Sequence, residues 1–321
     1  MGTRCPALGP SPSAETVIDL IADVDGVVAL RIAVKALLYA ACLLAAGSAV
    51  FHAVHRTDAA TERRTRHVAT TTAALGVALS GFVVLGEVLF LVGGDWAAAR
   101  DPMLWGVVLD TPIGDAQAWR GAGLVLVALL ALGQSMRWPA AIGAVLVAAS
   151  FAMVGHSLRE PRAALALLVV LHVLTAAYWL GAFAPLHHAA RTLAPSDAGA
   201  LAEDFGRKAL AGVAVLVAAG AGLLVVLAGG PLAVLASDWG RLLAVKLVLV
   251  AGLLALAARN KRHLSPALSR GDEAAAAALR GSIRREVGLV ALVLLATAAM
   301  TSTASPPENA ALMVDPILTR R

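Results

Sequence analysis

The feature that most restricts the fold is a series of eight apolar runs along the 321-residue chain, at about 27 to 54, 68 to 94, 117 to 136, 138 to 157, 162 to 187, 207 to 229, 240 to 258 and 286 to 304. A helix needs about twenty apolar residues to cross the hydrocarbon of a bilayer, and these runs have that length. In lipid every backbone N–H and C=O must be satisfied within the protein, so only helices and closed barrels cross. A barrel strand would read as roughly ten residues of alternating polarity. These runs are continuous and about twice as long, so the expected fold is all-α: a polytopic transmembrane bundle of about eight spans.

Composition agrees, with 59% hydrophobic and 15% charged residues. Aromatic residues supply only 4%, while glycine recurs within the spans, as in "GAGLVLVALLALG" and "LAGVAVLVAAGAGLL". Small faces of this kind let helices approach closely in lipid, where packing replaces the hydrophobic drive. Cys5 and Cys42 are the only cysteines, so no disulfide framework or CxxC metal motif exists. The run from Val27 to Val54 is too long for a secretory signal core and reads as a retained first span. The expected organisation is an N-terminal tail over 1–26, a membrane domain over 27–304 and a C-terminal tail over 305–321, with both tails extracytoplasmic.

Net charge is +5, but the basic residues are sorted by connection, which argues for topology and against nucleic acid. Segments 55–67, 137, 187–208 and 259–285 hold 4, 1, 3 and 7 Lys or Arg, whereas 95–119, 158–162 and 230–240 hold 1, 2 and 0. The positive-inside rule places the first set in the cytoplasm and both termini outside. Trp96, Trp105, Trp119 and Trp239 then fall at outer ends and Trp138 at an inner end, at headgroup level. The long outer connection around residues 95–119 reads either as a fold over the outer mouth or as an irregular tether. The Ala-rich basic segment 264–287 reads as a solvated connector or a short helix lying on anionic lipid.

Ionisable groups inside spans cost ~2.5–3.5 kcal/mol on insertion scales, so each asks for a partner or a pathway. His156, His172 and Glu87 all fall in the outer half of the expected bundle. Met153 precedes His156 by three residues, so the two share a helix face. Met300 lies near the same level on the last span, beside Thr297 and Thr301. Imidazole and thioether together favour copper, Cu(I) above all, over hard cations. The bland alternative is packing for the methionines and inter-helix hydrogen bonding for the histidines. His52, His55, His187, His188 and His263 fall at inner ends or in cytoplasmic loops, where water and headgroups solvate them, and His67 reads as a loop residue. Arg31, Arg120 and Arg241 read as snorkelling outer-end residues. Lys246 lies deeper, where it either pairs with Glu87 or repels free cations.

The segments "GHSLREPRAALALLVVLHVLTAAYWLGAFAPL", "WGRLLAVKLVLVAGLLALAARNK" and "RREVGLVALVLLATAAMTSTASPP", in this order, resemble the CopD (PcoD-like) family of copper resistance membrane proteins. The likeness is clearest over residues 154–307. It implies a bacterial cytoplasmic-membrane protein, not an enzyme, that handles copper with a periplasmic CopC-type copper carrier, most often by uptake. Carried over by residue, it singles out Gly155 with His156, His172 followed by Trp179 and Gly181, Gly240 with Arg241 and Lys246, and Glu286 after Arg284 and Arg285. The N-terminal tail departs from the pattern by lacking a Met-rich or His-rich copper-catching segment.

The expected function is therefore copper transport through the lipid bilayer, with the ion held by His156, His172, Met153 and Met300, and with Glu87, Lys246, Arg241 and Trp179 as supporting polar residues. The competing reading gives the same two histidines to a b-type haem in an electron-transfer or metal-reductase protein, with Arg159 or Arg162 for the propionates. No P-loop and no HExxH occurs, so the sequence supports neither ATP-driven pumping nor metalloprotease chemistry.

Overall fold

The computed structural model describes residues 26–155, 160–227, 234 and 237–303. Among the described residues there is no strand, and eight helical stretches are long and apolar enough to cross a membrane: Val28–Val54, Ala59–Leu91, Pro112–Leu132, Gln134–Met153, Arg162–Thr192, Pro195–Val226, Asp238–Ser269 and Glu273–Thr303. The chain is an all-α, multi-pass membrane bundle.

The helices are α1 (Gly26–Val54), α2 (Ala59–Leu91), α3 (Pro102–Leu109), α4 (Pro112–Ala128), α5 (Arg137–Ser150), α6 (Arg162–Gly181), α7 (Phe183–Thr192), α8 (Pro195–Leu227), α9 (Asp238–Arg259), α10 (Ser265–Ser269) and α11 (Glu273–Thr303). Short 3-10 turns extend α4 and flank α5, and a π-helical turn, Asn260–Leu264, joins α9 to α10. The end of the bundle that holds Gly26 and Thr303 is the terminal face; the end with the turns α1–α2, α4–α5, α7–α8 and α10–α11 is the distal face.

The connections are tighter than the sequence suggests. Asp58 ends the α1–α2 turn because its carboxylate accepts the amides of Ala60 and Thr61, satisfying two of the free donors at the start of α2. His67 consequently sits within α2, exposed, and not in a loop. The segment 264–287 is neither a solvated connector nor a helix lying on lipid. It is the packed ends of two spans, with Leu264, Leu268, Ala275, Ala276 and Leu279 in the main core. The long connection after α2 is folded: Ala99 and Val108 bury against Val84 and Val88, with Leu104 and Trp105 alongside. Asp101 and Thr111 cap α3 and α4, each followed by the proline that suits a first helical position.

α1 is the central helix, packed against α2, α5, α6 and α11. Its crossing with α6 is set by glycine. A Cβ on Gly47 would stand 1.8 Å from the Ala177 carbonyl oxygen, and one on Gly181 would stand 2.0 Å from the Gly47 carbonyl carbon. Gly123 and Gly143 perform the same service between α4 and α5. On α8, Gly222 receives Leu168 and Gly220 receives His172, both from α6. The glycine-rich faces quoted above are thus helix seats.

The second half of the bundle is looser. α8 packs against α6 and α9 packs against α11, but α8 and α9 barely meet. An interhelical gap bounded by α6, α8, α9 and α11 results, and the chemistry of the chain gathers along it.

Candidate functional site

At the terminal face the gap is closed by an apolar plug in which Val234, Trp239 and Met300 are buried and Leu224, Leu242 and Leu243 pack around them. Ser237 Oγ accepts the Gly240 amide and starts α9 beneath it. Gly240 is required there, since a Cβ would fall 1.7 Å from the Val234 carbonyl oxygen. Below the plug, His172 projects from α6 onto α8. Its Nδ1 lies 3.3 Å from the carbonyl oxygen of Leu216, and the ring edge rests on Gly220. The carbonyl can only accept, so this contact fixes the tautomer with the proton on Nδ1 and leaves the Nε2 lone pair unprotonated. Metal-binding imidazoles are oriented by just this second hydrogen bond. Lys246 of α9 is close enough for its charge to bear on the imidazole.

Met153 ends the 3-10 turn after α5 and is half-buried; that turn packs against α6. His156, and Arg159 beside it, lie outside the described residues. The structure therefore seats His172 on α8 within reach of the charge of Lys246 and puts Met300 in the plug, while Met153 belongs to the neighbouring α5–α6 junction.

A second polar group spans the terminal face. Arg31 ion-pairs with Glu87 at 3.2 Å. Lys35 donates to the Thr301 carbonyl at 3.0 Å, and Tyr39 meets Thr301 Oγ1 at 3.4 Å. Two expectations are corrected here. Glu87 does not pair with Lys246, because α2 lies against α1 and Arg31 reaches the carboxylate first. Arg120 does not snorkel: it is 5% exposed, donates to Ser150 Oγ and Gln117 Oε1 at 3.3 and 3.2 Å, and lies 5.1 Å over the Phe151 ring. Three partners inside the bundle replace water for this guanidinium. Arg241 is exposed and paired with Asp238 at 3.0 Å.

The distal face holds the largest departure from the sequence reading. His55, expected in solvent, has a fully buried side chain. Its Nδ1 meets Asp204 Oδ2 at 2.8 Å and its Nε2 meets the Tyr178 hydroxyl at 2.7 Å, with Phe51 stacked on the ring. His52 is also buried. With both nitrogens engaged, His55 ties α1 to α6 and α8 and has none to spare for a ligand. Burial holds the His55 imidazole below its ordinary range, the Asp204 hydrogen bond opposing. A histidine with a lowered folded-state value binds protons more readily when unfolded, so its contribution is complete above the ordinary imidazole value of about 6.5 and is lost as pH falls through the folded value. The thermal midpoint of the detergent-purified protein is expected to fall on acidification below about pH 6.5, with a shallower fall in His55→Asn. Identical pH profiles for the two proteins would refute this assignment.

Nearer the gap, Glu286 of α11 is only 3% exposed and accepts from Asn260 Nδ2 at 2.5 Å and Ser282 Oγ at 3.4 Å. Trp179 lies beside it, lower along α6 than His172.

A multi-pass helical bundle that holds an imidazole in a fixed orientation between two of its long apolar helices is a membrane protein with a candidate ligand site inside the bundle. Residues 24–161 match the family model described as copper resistance protein D-like, N-terminal domain, and residues 199–300 match copper resistance protein D. The chain belongs to the copper resistance protein D family. No curated protein and no solved structure matches it. The two matched stretches reach from α1 to α11 but leave out 162–198, which contains His172 and Trp179.

Proposed function

We propose that this protein carries copper inward across the cytoplasmic membrane of a bacterium, with the terminal face outside, a reading that the distribution of Lys and Arg supports. The observation that carries the reading is the His172 imidazole, held by the Leu216 carbonyl so that Nε2 is left to a ligand inside a gap between helices. Copper is cargo here, and no chemical transformation is assigned. His156 and Met153 receive the ion from solution or from a periplasmic CopC-type carrier, Met300 contributes a thioether from the plug, and His172 takes it next. Soft, low-coordinate ligands of this kind suit Cu(I). Conduction requires sites that bind well enough to admit an ion and weakly enough to release it. Lys246 supplies the second condition by repelling a cation on His172.

The test is uptake of Cu(I) into proteoliposomes that contain an impermeant chelator. The parent protein is expected to fill the vesicles, and His156→Ala to slow the initial rate by roughly tenfold or more. An unchanged rate in His156→Ala would remove that residue from the pathway. A parent protein that moves no copper in either orientation would end the transport reading.

A further inference from the structure

Below His172 the gap widens into a cavity of about 380 Å³ at the distal end of the bundle, in the size range of small-molecule sites. Aromatic side chains from three helices line it: Trp179 of α6, Phe183 of α7 and Phe205 of α8. Leu210, Val213 and Leu254 continue an apolar wall. Set into that wall is one acid, Glu286, 3% exposed.

The described partners of this carboxyl are neutral, the Asn260 amide, the Ser282 hydroxyl and the Trp179 indole, and no described ion pair includes it. Asn260 Oδ1 is also buried without a hydrogen-bond partner. The turn that presents Asn260 is the π-helical one, a distortion found often at functional sites. A carboxyl taken out of water either keeps its proton or takes a positive charge beside it, because desolvating the bare carboxylate costs several kcal/mol. Two basic residues also border the cavity, but both are exposed: Lys261 donates to the Gly206 carbonyl at 3.1 Å, and Arg262 stands in solvent where its field is screened.

We infer that this cavity is a binding site for a lipophilic organic cation, with Glu286 as counter-ion and the rings of Trp179, Phe183 and Phe205 as the wall. The chemistry selects that class. A hydrated metal ion finds too few oxygen ligands in an apolar wall to repay its dehydration, whereas an aromatic or alkyl onium ion sheds little water and gains from aromatic faces. A lipid acyl chain fits the wall but leaves the buried acid without its charge partner.

The inference is independent of copper and is tested without it. Radiolabelled tetraphenylphosphonium is equilibrated with the detergent-purified full chain, with tetraphenylborate as an anion of the same shape. Saturable binding of the cation is expected, weakened roughly tenfold or more in E286Q, equivalent to about 1.4 kcal/mol. Glutamine preserves the side-chain shape and the hydrogen bond from Asn260. Ala257→Trp, which fills the cavity from α9 and leaves the carboxyl in place, is expected to abolish binding. Tetraphenylborate is expected not to compete. Equal binding by parent and E286Q, or equal competition by the anion, would overturn the proposal and leave an apolar slot of the sort a lipid occupies.

Discussion

Replacing His172 with alanine is expected to lower copper affinity by roughly tenfold or more while the protein remains folded. The fold should survive because the imidazole is half-buried and makes one modest hydrogen bond, to a carbonyl that already belongs to α8. Removing it next to Gly220 leaves a small void and no buried group stranded. Lys246→Met supplies the opposite sign: with the nearby ammonium gone, copper is expected to bind more tightly and leave more slowly, so that retention rises as turnover falls. Equilibrium dialysis of Cu(I) against a competing chelator reads the first effect and release from preloaded protein reads the second. An optical spectrum of the same preparations, before and after dithionite, decides between copper and haem. A Soret band lost in His172→Ala would assign the imidazole to haem and withdraw the copper site. A featureless spectrum, with bound copper that falls in His172→Ala and rises in Lys246→Met, is the expected result. Copper binding unchanged in both variants would sink the pathway.

Gly47→Ala is expected to damage folding severely although it adds a single methyl group. The new Cβ would stand 1.8 Å from the Ala177 carbonyl oxygen, a backbone atom that cannot rotate away. Overpacking a well-filled core costs about 1–3 kcal/mol, occasionally more, when side chains can shift. Here two helices must separate instead, and α1 also carries the contacts to α2, α5 and α11. The expected outcome is aggregation, or loss of the monodisperse peak in size-exclusion chromatography. Gly81→Ala, which meets nothing within 4 Å, is expected to behave as the parent. A normal elution profile and thermal midpoint for Gly47→Ala would show that the α1–α6 crossing is softer than described.

The eight spans and the all-helical class were legible in the chain because hydrocarbon imposes a length and a polarity that no packing detail can override. The glycine-rich faces were legible for a related reason, since small residues at helical spacing serve close approach. The copper family was legible too, though its recognisable segments only partly coincide with the matched ones: the resemblance was clearest from 154 onward, and the match over 24–161 covers spans in which no motif stood out. The candidate site was less visible. His172 could be marked as a polar residue in an apolar run, but nothing local showed that α8 would offer it the Leu216 carbonyl or that the charge of Lys246 would reach it. Arg120 and His55 were assigned to water because each lies near a span end. Their burial depends on partners 30 and 149 positions away, Ser150 and Asp204. Glu286 gave no sign of itself beyond its place in a family-like segment.

The sequence by itself thus determined which stretches lie in lipid, how many there are, which connections carry the positive charge and which side chains are costly enough to demand an explanation. Each of these follows from the free energy of moving a residue from water into hydrocarbon, a sum over neighbours in the chain. Only the tertiary structure decided which costly groups meet: Glu87 with Arg31, His55 with Asp204 and Tyr178, His172 with Leu216. It also decided that α8 and α9 stand apart and leave a gap. Those outcomes depend on how helices distant in sequence pack, and between helices that are equally apolar the choice of neighbour rests on the position of single glycines and single hydrogen bonds.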